Sequence, residues 1–91
     1  MLATIKFDNE CINWVENGMF NKAFIWQQIS YIRDRIRLKG YIYLNEIYDI
    51  FGAKWDPHDS NYCLIYGENC NDFICSVIQL NDTDYTISIC Y

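Results

Sequence analysis

The chain holds one proline, Pro57, one histidine, His58, and four glycines among its 91 residues. With so few breakers there is no internal linker, and a chain this short builds one core, so a single domain over residues 1–91 is expected. One imidazole leaves any cysteine nucleophile with one possible base. The sequence has no G-x-G-x-x-G, no G-x-x-x-x-G-K-[ST], no H-E-x-x-H, no nucleophile elbow and no C-x-x-C, which removes the usual routes to phosphate, hydrolytic and zinc chemistry. No cofactor and no enzymatic activity are expected. No run approaches the roughly 20 apolar residues that span a bilayer, and the N-terminus has neither a charged n-region nor an apolar h-region. A soluble protein of the cytosol, without a membrane partner, is expected; repeats and low-complexity tracts are absent.

What is present is a core-forming composition, 52% hydrophobic and 18% aromatic, which places the chain well above the disordered range. The five cysteines, Cys11, Cys63, Cys70, Cys75 and Cys90, are an odd set and read as buried thiols in a reducing compartment. The net charge of −5 is unevenly spread: residues 1–40 carry +2, whereas residues 41–91 set Lys54 against eight acids and carry −7. An acidic half repels nucleic acid and steers toward basic protein surfaces, although acidity also serves solubility.

Residues 1–7 alternate loosely and read either as a short strand or as the lead into a helix. Asp8 or Asn9 offers an N-cap for a short helix through Cys11, Ile12, Trp14 and Val15, stopped near Asn17-Gly18. The strongest signal runs from about Asn21 to Lys39, where Ile25, Ile29, Ile32 and Ile36 form one helical stripe. Asn21 suits the cap, Arg33, Arg35, Arg37 and Lys39 suit the negative end of the helix dipole, and Gly40 supplies the left-handed residue that stops it. Tyr41-Ile42-Tyr43 then reads as a strand, Leu44–Phe51 as a short helix capped by Asn45 with Ile47, Ile50 and Phe51 inward, and 62–66 as another strand. Residues 73–80 and 85–91 form a β-hairpin around Asn81-Asp82-Thr83-Asp84. If Ile78 and Leu80 share a face with Tyr85, Ile87 and Ile89, cross-strand partners sum to an odd number. An Asn81-Asp82 turn, whose residues better tolerate positive φ, puts Cys75 opposite Ser88; an Asp82-Thr83 turn puts it opposite Cys90. The expected fold is α+β: a short N-terminal helix and one long amphipathic helix packed on a small antiparallel sheet that ends in a C-terminal hairpin.

Three groups of residues suggest sites. Asp56-Pro57-His58-Asp59 sets the imidazole among carboxylates, but it reads foremost as an ordinary turn with an Asp cap. Trp26, Ser30, Arg33 and Arg37 fall on one face beside the isoleucines and read as a solvated face, or as a contact with an acidic partner or a second copy. Tyr41, Tyr43, Tyr48, Tyr62, Tyr66, Tyr85 and Tyr91, with Trp55, lie in the acidic half. Rings that anchor beside acids that pair suit arginine-bearing protein surfaces, and rings also pack sheets. The candidate partner-binding residues are Asp56, Asp59, Tyr62, Tyr66, Glu68 and Asp72.

The run from Tyr31 to Gly52, with Gly40-Tyr41-Ile42-Tyr43-Leu44-Asn45-Glu46-Ile47-Tyr48-Asp49-Ile50-Phe51-Gly52 at its centre, resembles a segment of small phage and prophage proteins of low-GC Gram-positive bacteria. The similarity spans about residues 20–91 and is most specific in its middle third. The proline-containing stretch that in those proteins follows the position of Phe51-Gly52 is shifted here to Asp56-Pro57. That family has no settled activity to carry over, so the resemblance implies a mobile-element setting and no mechanism. The functional expectation is a protein-binding protein whose partner has a basic surface. Such a partner is a CRISPR effector or other host defence nuclease, inhibited in the manner of an anti-CRISPR protein without direct contact to nucleic acid. The alternative is a virion or mobile-element assembly accessory that pairs as a homodimer.

Overall fold

The computed structural model describes residues 2–54, 62–68 and 74–90. Its elements are β1 (Leu2–Phe7), α1 (Gly18–Lys39), β2 (Tyr41–Tyr43), α2 (Leu44–Phe51), β3 (Cys63–Ile65), β4 (Ile74–Gln79) and β5 (Tyr85–Cys90). The α+β class and the long helix are as expected. The strands form two antiparallel sheets, one of order β1-β5-β4 and one of β2 with β3.

The isoleucine stripe does what its spacing implies. Ile25, Ile29, Ile32 and Ile36 are fully buried in one cluster with Ala3, Ile5, Phe7, Tyr85, Ile87 and Ile89 from the inner face of the three-stranded sheet. Isoleucine is a mediocre helix former, so burial of the stripe rather than propensity holds α1 together. Gly40, at φ +86°, ends it, its N–H returning to the Ile36 carbonyl. Leu44, Ile47, Tyr48 and Phe51 form the buried side of α2, with Ile50 only partly covered. Asn45 is not its cap: α2 starts from Tyr43, whose N–H donates to the Glu46 carboxylate at 3.2 Å.

The short N-terminal helix does not form. Residues 2–7 are a strand, and 8–17 is a chain of turns. A helix needs each N–H to reach the carbonyl four residues back, and here other partners take them, some in tight turns and some from elsewhere in the fold. The Cys11 N–H bonds to Asp8 in a tight turn, the Ile12 N–H to the Gly52 carbonyl at the end of α2, and the Val15 N–H to the side chain of Asn21. α1 accordingly starts earlier, at Gly18, with the Asn17 Oδ1 accepting from the Phe20 N–H at 3.0 Å. Asn21 is therefore not the cap but a wholly buried bracket: besides accepting from Val15, it donates to the carbonyls of Val15 at 2.7 Å and Thr83 at 2.9 Å. Trp14 donates its indole N–H to Asp84, and the Tyr85 hydroxyl donates to the Gly18 carbonyl. A Cβ at Gly18 would run into the Asp82 carbonyl oxygen, so the residue is glycine because the hairpin loop crosses it closely.

Both expected hairpin registers are replaced by a third. Partners sum to an even number, with Cys75 opposite Ile89, Val77 opposite Ile87 and Ile78 opposite Thr86. The two-residue turns demand positive φ, and no non-glycine residue among those described adopts it. Instead Asn81, Asp82 and Thr83 form a three-residue loop closed by the Leu80 N–H to the Asp84 carbonyl, with the Asn81 side chain accepting from the Thr83 and Asp84 N–H groups. One added loop residue turns β4 over. Cys75 and Val77 now pack on the core, while Ile78 and Leu80 stand 56% and 49% exposed. Cys75 and Cys90 lie on opposite faces, and neither they nor Cys11 and Cys63 form a disulfide.

Candidate binding face

The two-stranded sheet joins Gly40 to Tyr66 and Leu44 to Tyr62 through backbone hydrogen bonds of 2.8 and 2.9 Å. Alternation along it puts Ile42 and Leu64 inward, both fully buried, and turns Tyr41 and Tyr43 outward opposite Ile65 and Cys63. These outward pairs are the close, non-hydrogen-bonded kind, so their side chains meet. Tyr41 and Tyr43 also contact each other edge to face, with ring centroids 5.9 Å apart. Tyr62 and Tyr66 flank β3, and Glu68 follows in a turn closed by its N–H to the Ile65 carbonyl, with Gly67 at φ +87°.

The structure thus divides the tyrosines that composition left together. Tyr48 and Tyr85 are core residues, whereas Tyr41, Tyr43, Tyr62 and Tyr66 stay between 36% and 45% exposed on one small sheet. Of the expected partner-binding residues, Tyr62, Tyr66 and Glu68 fall on or beside β3 and are all exposed; Asp56, Asp59 and Asp72 lie outside the described residues, as do Trp55, His58 and Tyr91. Tyr41 and Tyr43 form the outer face; Tyr62 and Tyr66 share the side of Leu64 by alternation and are exposed only because they lie at the ends of β3. Period-two alternation around a buried Ile42 was the available signal for Tyr41 and Tyr43.

The face continues onto α1. Arg35 donates to Glu46 at 3.0 Å, and Glu46 in turn holds the Tyr43 N–H. Arg35 also lines a surface groove of about 440 Å³ with Tyr31, Asp34, Leu38 and Lys39. Tyr31 is half exposed and Leu38 almost fully so, which gives the groove apolar walls and charges of both signs. On the neighbouring stripe Trp26 is exposed, while Arg33 is half-buried beside Cys75 and so belongs partly to the packing.

The thiols do not look like activated nucleophiles. Burial pushes the Cys11 and Cys75 thiols up, Asp8, Glu10 and Asp84 adding to the effect at Cys11; desolvation and the nearby Glu46 carboxylate push Cys63 up as well. Among the four described cysteines, Cys90 should therefore be alkylated first by iodoacetamide at neutral pH. Cys11 and Cys75 should trail it by about tenfold or more, measured by peptide mapping over time.

Among the described residues, no three His, Cys, Asp or Glu side chains gather where they would hold a metal ion, and no helix is long and apolar enough to cross a membrane. No family model matches the chain, and no curated protein or solved structure matches it.

Proposed function

We propose that this protein is a binding module, not an enzyme, whose contact face is the tyrosine-bearing β2–β3 sheet, and that it occupies a basic surface of a partner protein. The observation that carries this reading is the exposure of Tyr41 and Tyr43 together on the outer face of a sheet whose inner face is sealed by Ile42 and Leu64, with Tyr62 and Tyr66 exposed at the two ends of β3. Tyrosine anchors bury large area at low entropic cost. The −7 charge of residues 41–91, to which Glu68 contributes, adds attraction for arginine and lysine and repels nucleic acid. In the mobile-element setting that the Tyr31–Gly52 run suggests, the partner is a host defence nuclease such as a CRISPR effector. The protein would block it by covering the residues that grip nucleic acid.

The experiment is capture of partners from a host lysate with washes at low salt and roughly 0.5 M salt, followed by titration with the recovered partner. A basic nuclease held at low salt and released at high salt is expected. Tyr41→Ala with Tyr43→Ala should weaken binding by roughly 10- to 100-fold with the fold intact. Neutralising Asp56, Asp59, Glu68 and Asp72 together should flatten the salt dependence. Binding unaffected by either set of changes would end this reading. The alternative, an assembly accessory of a virion or mobile element, is favoured by a separate feature, the free edge of β4.

A further inference from the structure

In the β1-β5-β4 order both outer strands are edges, and they are not alike. β1 carries Lys6, a charge of the kind that discourages edge pairing. β4 and the residue after it, Ile74-Cys75-Ser76-Val77-Ile78-Gln79-Leu80, have no charge and no proline. The bond from the Leu80 N–H to the Asp84 carbonyl sets the ladder's phase. Residues 74, 76 and 78 bond to β5, and Cys75, Val77 and Gln79 direct their N–H and C=O groups away from it. Among the described residues no strand pairs with that side. Beside this row of open donors and acceptors stand Ile78 and Leu80, 56% and 49% exposed, on the sheet's outer face.

We propose that β4 is the interface for a second copy of this chain, pairing antiparallel with its counterpart about a two-fold axis to make one continuous six-stranded sheet. A two-fold centred at Ile78 sets Val77 against Gln79 of the other copy in reciprocal hydrogen-bonded pairs. Ile78 then meets its own equivalent in the close, non-hydrogen-bonded position, and Leu80 lies opposite Ser76. Antiparallel pairing of this parity keeps core-facing and outward residues on their own sides in both copies. The charge-free strand suits its own copy, since no like charges within it are brought together. The two protomers nevertheless repel at long range, each carrying −5. Salt should therefore strengthen this contact while it weakens the binding of a basic partner, so failure of one proposal is distinguishable from failure of the other. An edge of six residues covers less than the about 1,200–2,000 Å² of a stable interface, so the dimer is reversible.

The test is sedimentation equilibrium of the intact protein from roughly 5 to 500 µM at low and high salt. The mass should climb from the monomer's 10.9 kDa toward about twice that value, and more readily at high salt. Ile78→Lys, an exposed change that leaves the core alone, should hold the protein at monomer mass with an unchanged melting curve. In the unaltered protein, exchange of the Cys75, Val77 and Gln79 amides should slow as concentration rises. A monomer throughout the range would overturn the proposal, as would a dimer that Ile78→Lys leaves intact or one formed without slowing those three amides.

Discussion

Replacing Ile32 by aspartate is expected to abolish folding. Ile32 sits at the centre of the α1 stripe, fully buried, with Ile29 and Ile36 one turn to either side and the inner face of the three-stranded sheet in the same cluster. The substitution removes a transfer contribution of about 2–3 kcal/mol. It also leaves a carboxylate that must either ionise among apolar side chains or stay neutral at a further cost of several kcal/mol. A domain of this size has about 5–10 kcal/mol in hand, so the sum removes most or all of it. Circular dichroism should lose the helical signal, and amide resonances should collapse to unfolded positions. Ile32→Val, which keeps the shape and deletes one methylene, should cost only about 0.5–1.5 kcal/mol. If the aspartate variant melted like the parent protein, the cluster around Ile32 could not be what holds the domain.

The second large effect is expected at Asn21, through a different mechanism. Its amide accepts from the Val15 N–H at 3.0 Å and donates to the carbonyls of Val15 and Thr83, so one buried side chain ties the 8–17 turns and the hairpin loop to the first turn of α1. Asn21→Leu keeps nearly the same volume and removes the partner of the Val15 N–H and of the Thr83 carbonyl, while the Val15 carbonyl keeps the Asn17 N–H. At about 1–3 kcal/mol for each of these two groups, the loss is about 2–6 kcal/mol. A melting temperature lower by roughly 8 °C or more follows for a chain of this length. Asn17→Ala, which removes an exposed cap bonded only to Phe20, should cost about 1 kcal/mol. Thermal denaturation of the two variants side by side decides between a bracket at Asn21 and a simple cap, since a cap at Asn21 would reverse the order.

The two positions differ in how visible they are in the sequence. The role of Ile32 follows from spacing, because helical geometry alone puts residues 25, 29, 32 and 36 on one side. Asn21 looks from its neighbours like an N-cap, and only the arrival of Val15 and Thr83, six and sixty-two positions away, makes it a buried bracket. The same distinction runs through the binding face. Tyr62, Tyr66 and Glu68 were legible as an aromatic and acidic segment, whereas Tyr41 and Tyr43 were not singled out, although alternation around Ile42 would have turned them outward. That Arg35 and the groove beside Tyr31 and Leu38 adjoin them depends on the packing of α1 and α2 in the common core, which sets Arg35 within 3.0 Å of Glu46.

Local periodicity and stop signals in the sequence by themselves determined the α+β class, the body of α1 and its end at Gly40, the span of α2, and the existence of the hairpin strands. Each of these depends on residues within one or two turns of one another, and nothing in the tertiary packing opposes them. Tertiary structure took part in deciding that residues 8–17 are not a helix: the Ile12 and Val15 N–H groups bond to the Gly52 carbonyl and the Asn21 side chain, while those of Glu10, Cys11, Trp14 and Asn17 close tight local turns. It also decided the hairpin register. A three-residue loop held by the Asn81 side chain lets Val77 and Cys75 fill the core and turns Ile78 and Leu80 out, and in a strand of period two a single loop residue reverses every face.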